Sequence, residues 1–275
     1  IAGGWRSMLA GNLTHLYVLA FALVFGIIGF LDDFMKVKYK RNLGLTAIQK
    51  LALQLAAAGA YLALLRWNGD LTCDLYIPFW NVCFEINWIV YLIFAMFVIV
   101  GCVNAVNLTD GKDGLAAGCS VFCVLSLAAV AYMHGHSVFA KYLSIPYIPE
   151  LGEVSVFASA MAGACIGFLW YNCKPAAMFM GDTGSLPLGG CIGLIAVLMG
   201  QQLLLLVVGF VFLMEGGSVL LQVPYFKLTG KRIFKCTPIH HHFELCGWSE
   251  TQIVTRFWII AGICALIGLA TLKLR

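Results

Sequence analysis

Charge is what this sequence has least of. Asp, Glu, Lys and Arg supply 11% of its 275 residues, whereas a soluble domain carries about a quarter. Hydrophobic residues make up 61%, and the mean hydropathy is +0.92. This balance excludes an ordinary water-soluble enzyme, and a disordered chain needs the reverse. The net charge of +4 is too small to suggest nucleic acid as a partner. No Gly-x-x-x-x-Gly-Lys-Ser/Thr loop occurs, which excludes a P-loop nucleotidase. No repeat of 20–50 residues and no long linker divides the chain. The 11 cysteines do not read as a secreted disulfide framework, because Cys102, Cys119, Cys123, Cys165, Cys191 and Cys264 sit inside apolar runs as small hydrophobes. Cys73 and Cys83 flank a polar loop and leave a bridge there open.

A polytopic helical membrane protein is what remains, and ~20 residues per crossing leave room for about eight spans. Apolar runs predict helices over 15–31, 47–65, 88–103, 115–133, 154–171, 185–200, 203–223 and 254–272. Alternation around Pro78 and Asn81 predicts a short hairpin in an outer loop. The expectation is an all-α integral membrane protein, one polytopic domain over 1–275. Ile1 rather than Met opens the chain, and no basic segment with a cleavage site precedes the apolar runs, so an N-terminally truncated chain without a signal peptide is expected.

The loops set an orientation. One set carries Lys36, Lys38, Lys40, Arg41, Lys112, Lys174, Lys227, Lys231, Arg232 and Lys235, while Asp70, Asp74, Glu85, Glu150 and Glu153 lie in the other. The positive-inside rule puts the lysine-rich set in the cytoplasm. Every unusual polar cluster falls on that same side: Asp32-Asp33, the run from Asn104 to Gly114, the run from Asn172 to Asp182, and His240-His241-His242. Carboxylates, amides, imidazoles and lysines at one mouth of a helix bundle make a candidate active site.

Asp32-Asp33 falls at the C-terminal end of the first predicted helix, where negative charge opposes the helix dipole, so capping does not explain it. Adjacent helical residues point ~100° apart, so the two carboxylates are not expected to share one ion equally; one faces the chemistry and the other orients a partner such as Lys50. Asp110 and Asp113 precede a helix, and N-capping accounts for one of them. It does not account for the surrounding asparagines, nor for Gly111 and Gly114, which allow a ligand close to the backbone. Asp182, just before another helix, reads either as an N-cap, a role open to Thr183 as well, or as the lone carboxylate that Mg²⁺ takes beside water and substrate phosphates. Consecutive histidines do not converge on one zinc ion from a regular element, so His240–His242 read as imidazoles for phosphate or sugar. Glu215, followed by Gly216 and Gly217, interrupts the seventh predicted helix as a kink or a polar opening toward lipid.

Three of these runs carry a resemblance. Asn104-Ala-Val-Asn-Leu-Thr-Asp-Gly-Lys-Asp-Gly-Leu115, Phe179-Met-Gly-Asp-Thr-Gly-Ser185 and Pro238-Ile-His-His-His-Phe-Glu244 resemble the polyprenyl-phosphate N-acetylhexosamine-1-phosphate transferases, and the triple histidine favours their muramoyl branch. The resemblance runs from Asp32 to the segment at Arg256. It implies transfer of phospho-MurNAc-pentapeptide from UDP-MurNAc-pentapeptide to undecaprenyl phosphate with release of UMP. It also implies ten membrane helices, Mg²⁺ dependence and a multi-pass protein of the bacterial inner membrane whose site faces the cytoplasm; a homodimer is compatible with it. By position, Asp182 matches the magnesium-binding aspartate, and Asp32 matches a carboxylate assigned either to deprotonate the lipid phosphate or to attack covalently. Asp33 and Lys50 match charged neighbours of that site. Asn172, Phe179, Asp110, Gly111 and Asp113 match a uridine-side pocket, with Phe179 suited to stacking on a base. Asn104, Asn107, Gln222, His240, His241 and His242 match polar contacts to phosphates or sugar. Lys112 departs from the pattern, since many relatives have Leu there.

The chemistry fits those residues, because two anions must approach and phosphoryl transfer is mostly positioning and electrostatics. A phosphate monoester has its second pKa at ~6, so a base at Asp32 would gain little and direct attack by the lipid phosphate is expected. A related transferase of GlcNAc-1-phosphate is the alternative within the family. A transporter is the alternative from another class; it would place ionisable groups near the bilayer midplane within inverted repeats.

Overall fold

In the computed structural model, which describes residues 14–40, 44–77 and 82–273, the chain is helical almost throughout. In chain order the long helices are α1 (Thr14–Tyr39), α2 (Ala47–Asn68), α3 (Trp88–Thr109), α4 (Leu115–Gly135), α6 (Leu151–Asn172), α7 (Gly181–Leu198), α9 (Phe210–Thr229) and α11 (Glu250–Ala270). Between them lie three short helices, α5 (Ser137–Leu143), α8 (Leu205–Val208) and α10 (Ile239–Leu245), with a 3₁₀ turn at Gln202–Leu204 before α8. Among the described residues, seven of the long helices are each long and apolar enough to cross a membrane, and the bent pair of α9 with the turn and α8 counts as an eighth if it is one broken span rather than a re-entrant loop. The chain is an all-α, multi-pass membrane protein.

The predicted runs all became helices, and their ends follow local chemistry. Thr46 and Gln49 form a reciprocal capping box that starts α2, and Ser249 with Gln252 does the same for α11. Gly69, in the left-handed region at φ 81°, closes α2. The expected hairpin is present as β1 (Asp74–Ile77) and β2 (Val82–Glu85), antiparallel with Asp74 opposite Glu85 and Tyr76 opposite Cys83. Cys73 is buried outside this ladder and Cys83 is exposed on it; both are free thiols, so the bridge left open by the sequence is not formed.

Two helix boundaries differ from the expectation in ways that matter. α1 does not stop near Leu31 but runs on to Tyr39, so Asp32 and Asp33 lie within the helix, and Lys36 and Lys38 in its last turn complement the dipole. The seventh predicted span is broken at Gly209, where the preceding segment and α9 meet at 92°. Glu215, Gly216 and Gly217 lie inside α9 and do not interrupt it.

The core is built around α7, which packs against α1 and α3, while α4 packs against α6 and α11. Phe21, Phe25, Tyr91, Ile99, Leu186 and Ile192 are among its largest buried side chains. Such close packing requires small residues on the facing backbones: a Cβ at Gly29 of α1 would collide with the backbone carbonyl of Asp182 in α7. That contact seats the first turn of α7 against the end of α1, and the functional cluster forms there.

Candidate active site

Residues from four helices meet at the lysine-rich end of the bundle. One oxygen from each of Asp32, Asp33 and Asp182 lies within 4.8 Å of the others. Lys36 Nζ sits among them, 2.6 Å from Asp32 Oδ2, 3.2 Å from Asp33 Oδ1 and 3.1 Å from Asp182 Oδ2. Lys50, in the first turn of α2, reaches Asp182 Oδ2 at 2.5 Å and Asp32 Oδ2 at 3.2 Å. Asn107, near the end of α3, donates to Asp182 Oδ1 at 2.6 Å and to Ser185 Oγ at 2.8 Å.

Each carboxylate is held by more than lysine. Asp32 is 1% exposed, and its Oδ1 accepts the Leu45 backbone N–H at 2.7 Å. Asp33 Oδ2 accepts both the backbone N–H of Thr183, at 2.9 Å, and its hydroxyl, at 2.8 Å. The two carboxylates differ in setting: Asp32 is buried, while Asp33 braces the start of α7. Even so, both carboxylates turn an oxygen toward the same point. Asp182 does not cap α7; the N-cap is Met180 without a side-chain bond, and Asp182 in the first turn points at the lysines instead. Three carboxylates against two ammonium groups leave a formal charge of minus one.

This cluster can hold a cation. All its ligands are hard oxygens, the kind that magnesium and calcium take, and the Lys36 ammonium already stands among the three carboxylates. Among the described residues the histidines 240–242 belong to no comparable group of metal-ligating side chains.

Beside the cluster lies the loop between α3 and α4. Asp110 closes α3, accepts a backbone hydrogen bond from Gly181, and is pushed up to about 7 by burial and by the nearby Asp182 and Asp33 charges. Asp113 does not cap α4, whose N-cap is Gly114 in the left-handed region with no side-chain bond. Asp113 Oδ2 instead accepts the Ala176 N–H at 3.1 Å, and buried Asn172 accepts the Gly114 N–H at 3.0 Å while donating to Met178 O at 2.8 Å. These bonds tie the α3–α4 loop to the α6–α7 loop, where Phe179 stands 78% exposed. Lys112 pairs with Glu244 of α10 at 2.8 Å, which holds the Glu244 carboxyl below its ordinary range together with the His241 contact.

The other expected residues make their hydrogen bonds elsewhere. Asn104, one turn before Asn107, donates to Gln54 Oε1 and to Val100 O, both at 2.8 Å. Gln222 accepts the Phe234 N–H at 2.7 Å. His240 is buried against Glu215, while His241 pairs with Glu244 and His242 Nδ1 accepts the Lys235 N–H. Sequence reasoning missed Lys36, Thr183 and Ser185 as members of the cluster, having used Lys36 only for orientation. Its spacing of four from Asp32 and three from Asp33 was the available signal, since such neighbours share a helix face.

An apolar cavity of about 640 Å³ opens between α2, α3 and the bent pair α8–α9. Leu51 and Leu108 line it, each next in sequence to a cluster residue, and Gly209 at the bend lines it farther along. The cluster is open to water at Lys36, and the lining of the groove comes within one residue of it on α2 and on α3.

The description of glycosyl transferase family 4 matches residues 15–200, which takes in every member of the charged cluster. A phospho-N-acetylmuramoyl-pentapeptide-transferase of Koribacter versatilis is 48% identical over 285 aligned residues, covering 97% of this chain and 75% of that protein. Its counterparts in Thermodesulfovibrio yellowstonii and Pelagibacter ubique are 51% and 48% identical, over 96% and 98% of this chain and 75% and 76% of theirs. Likeness of this degree along nearly the whole chain is common descent, and the chain belongs to glycosyl transferase family 4, on the branch of the phospho-N-acetylmuramoyl-pentapeptide-transferases.

Proposed function

We propose that this chain transfers phospho-MurNAc-pentapeptide from UDP-MurNAc-pentapeptide to undecaprenyl phosphate, forming lipid I for peptidoglycan synthesis and releasing UMP. The observation that carries the reading is the convergence of Asp32, Asp33 and Asp182 on Lys36 and Lys50 beside an apolar groove. An oxygen of the lipid phosphate attacks the β-phosphorus, the bond from that phosphorus to the bridging oxygen breaks, and UMP leaves with it. Lys36 and Lys50 offset the repulsion between donor and acceptor. Asp32, buried and already engaged by both lysines and the Leu45 N–H, acts by holding those ammonium groups in place. A lipid phosphate with its second pKa at ~6 needs no base at neutral pH.

Mg²⁺ is the cofactor this reading assigns to Asp182, with Asp33 and Asp32 beside it; when bound it would add positive charge against the pyrophosphate. The α3–α4 and α6–α7 loops, carrying Asp110, Gly111, Asp113, Asn172 and Phe179, take the uridine side, and the exposed Phe179 ring offers a stacking face. Asn107, Asn104, Gln222 and the histidines 240–242 serve the phosphates and sugar. The prenyl chain lies in the groove of α2, α3 and α9. The protein sits in the bacterial inner membrane with the cluster toward the cytoplasm, as the lysine-rich loops favour.

Purified protein is expected to release UMP only when UDP-MurNAc-pentapeptide, undecaprenyl phosphate and Mg²⁺ are all present, and not with UDP-GlcNAc as donor. Equal turnover of UDP-GlcNAc would move the chain to the GlcNAc-1-phosphate reading. Direct attack predicts no labelled protein after incubation with the UDP-sugar alone, and a phospho-aspartyl adduct would overturn it. A transporter is disfavoured because the charged cluster lies at helix ends, in the last turns of α1 and the first turns of α2 and α7.

A further inference from the structure

Outside the carboxylate cluster, two buried ionisable side chains pair with each other. Glu215, within α9, is 0% exposed, and His240, at the start of α10, is 1% exposed. His240 Nδ1 lies 2.9 Å from Glu215 Oε2. Each keeps one buried atom without a hydrogen-bond partner, Glu215 Oε1 and His240 Nε2. Native interiors leave few polar atoms in this state, and each needs a reason. Stability is a poor one, because a buried ionic pair replaced by apolar side chains of similar volume is often neutral or stabilising.

The free edge of the imidazole has a definite neighbour. A Cβ added at Gly111 would stand 2.7 Å from His240 Nε2, so the α3–α4 loop reaches the ring only because residue 111 is glycine. Asp110 precedes that glycine, and Lys112 after it is tied to Glu244 of the same helix as His240. On the other side, Gly216 and Gly217 directly follow Glu215 and line the apolar groove.

We propose that Glu215 is a positioning residue for the transfer: from within its span it holds His240 by Nδ1 and so seats the Nε2 edge against Gly111 of the nucleotide-side loop. The inference rests on the reading given under Proposed function. A carboxylate on one ring nitrogen keeps the proton there and fixes the direction of the other, as partners of functional imidazoles commonly do. The wall of the lipid groove, the imidazole and the loop carrying Asp110 and Asp113 then form one connected path. A shift of ~1 Å in such a loop costs about 10²-fold in rate, so an acceptor remote from the reacting atoms still registers in turnover.

Glu215→Met, Glu215→Gln and Gly111→Ala in the full chain, purified in detergent, test this by initial rates of UMP release, by melting midpoint and by amide hydrogen exchange of residues 110–114. Glu215→Met is expected to melt at or above the wild-type temperature, yet to lose tenfold or more in kcat/KM for the UDP-sugar, with tenfold faster exchange in the loop. Glu215→Gln, whose amide oxygen still accepts from Nδ1, should stay within threefold of wild type on both counts. Gly111→Ala, which presses on the ring from the loop side and leaves α9 untouched, should repeat the loss even where Glu215→Met does not fold. Wild-type rates and exchange in Glu215→Met, or a loss in Glu215→Gln equal to that in Glu215→Met, would overturn the proposal. A wild-type protein that releases no UMP would refute the proposed function instead, while the exchange measurements still decide what Glu215 does to the loop.

Discussion

The bundle buries polar groups at both of its ends, and the two ends solve the problem differently. At the hairpin end the buried groups pair with uncharged partners. Gln202 donates to the Tyr91 hydroxyl at 2.6 Å, Tyr91 donates to Val197 O at 3.4 Å, and His134 lies 2.9 Å from Pro146 O. At the carboxylate end one ammonium group, Lys36, serves three carboxylates, and the formal charges do not cancel. Neutral pairing of this kind holds irregular backbone in place where water is scarce. An uncompensated cluster of charge is costly to assemble, and its presence at one end only locates the chemistry.

The strongest way to break this comparison is to remove charge from the cluster. Asp182→Asn keeps the acceptor for Asn107 and leaves two lysines facing two carboxylates. Transfer activity is expected to fall by about 10³-fold, the order seen when one electrostatic partner of a phosphoryl or acyl transition state is lost. The melting midpoint should not fall. A variant that keeps its activity would remove the cluster from the mechanism, and a large drop in melting would make it a structural device like the hairpin end.

Lys36→Gln tests the same site from the cationic side. It leaves three carboxylates with Lys50 alone, so stability should drop by about 1–3 kcal/mol, less than for a fully buried pair because the Lys36 side chain is 33% exposed. Millimolar Mg²⁺ should restore much of that loss, which denaturation with and without the ion would record. No response to the ion would argue against a cation site there. At the other end, Tyr91→Phe strips the partner from Gln202 Nε2 and is expected to cost about 1–2 kcal/mol with kcat unchanged. Lost turnover with full stability would erase the distinction between the two ends.

How much of this was legible in the sequence depended on which physical signal marked each feature. The spans were legible because lipid demands long apolar runs, and the meeting of Asp32, Asp33 and Asp182 at one lysine-rich end of the bundle was foreshadowed by lysine placement. The true end of α1 was not, because hydropathy stops where charge begins, at Asp32, while the helix continues through Lys36 to Tyr39. The break near Gly209 was hidden for the opposite reason: Gly216 and Gly217 look like better breakers. Gly216 is instead helical and closely packed, a Cβ there approaching Ala105 to 3.3 Å. Convergence of Asp32, Lys50, Asn107 and Asp182 lay beyond local pattern, since it depends on how α1, α2, α3 and α7 pack together.

Asp110 gives the finest test, because it stands between the two kinds of site: a single half-buried carboxyl with a backbone partner, next to the charged cluster. Its pKa is raised to about 7 from an ordinary 3.8, chiefly by burial. Below about pH 4 the group is protonated in both folded and unfolded chains and contributes no difference. Between there and pH 7 the unfolded chain ionises first, so the group weighs increasingly against folding as pH rises, and above pH 7 the penalty is constant. Asp110→Asn removes that ionisation while its amide oxygen still accepts the Gly181 N–H. The variant should therefore melt with the wild type near pH 4, gain on it through neutrality, and hold a lead of a few degrees above pH 7. A lead that is the same at every pH would assign the effect to shape rather than charge. A wild-type advantage at pH 8 would mean that ionised Asp110 is stabilised by a partner at the cluster, and would make it part of the charged site rather than its border.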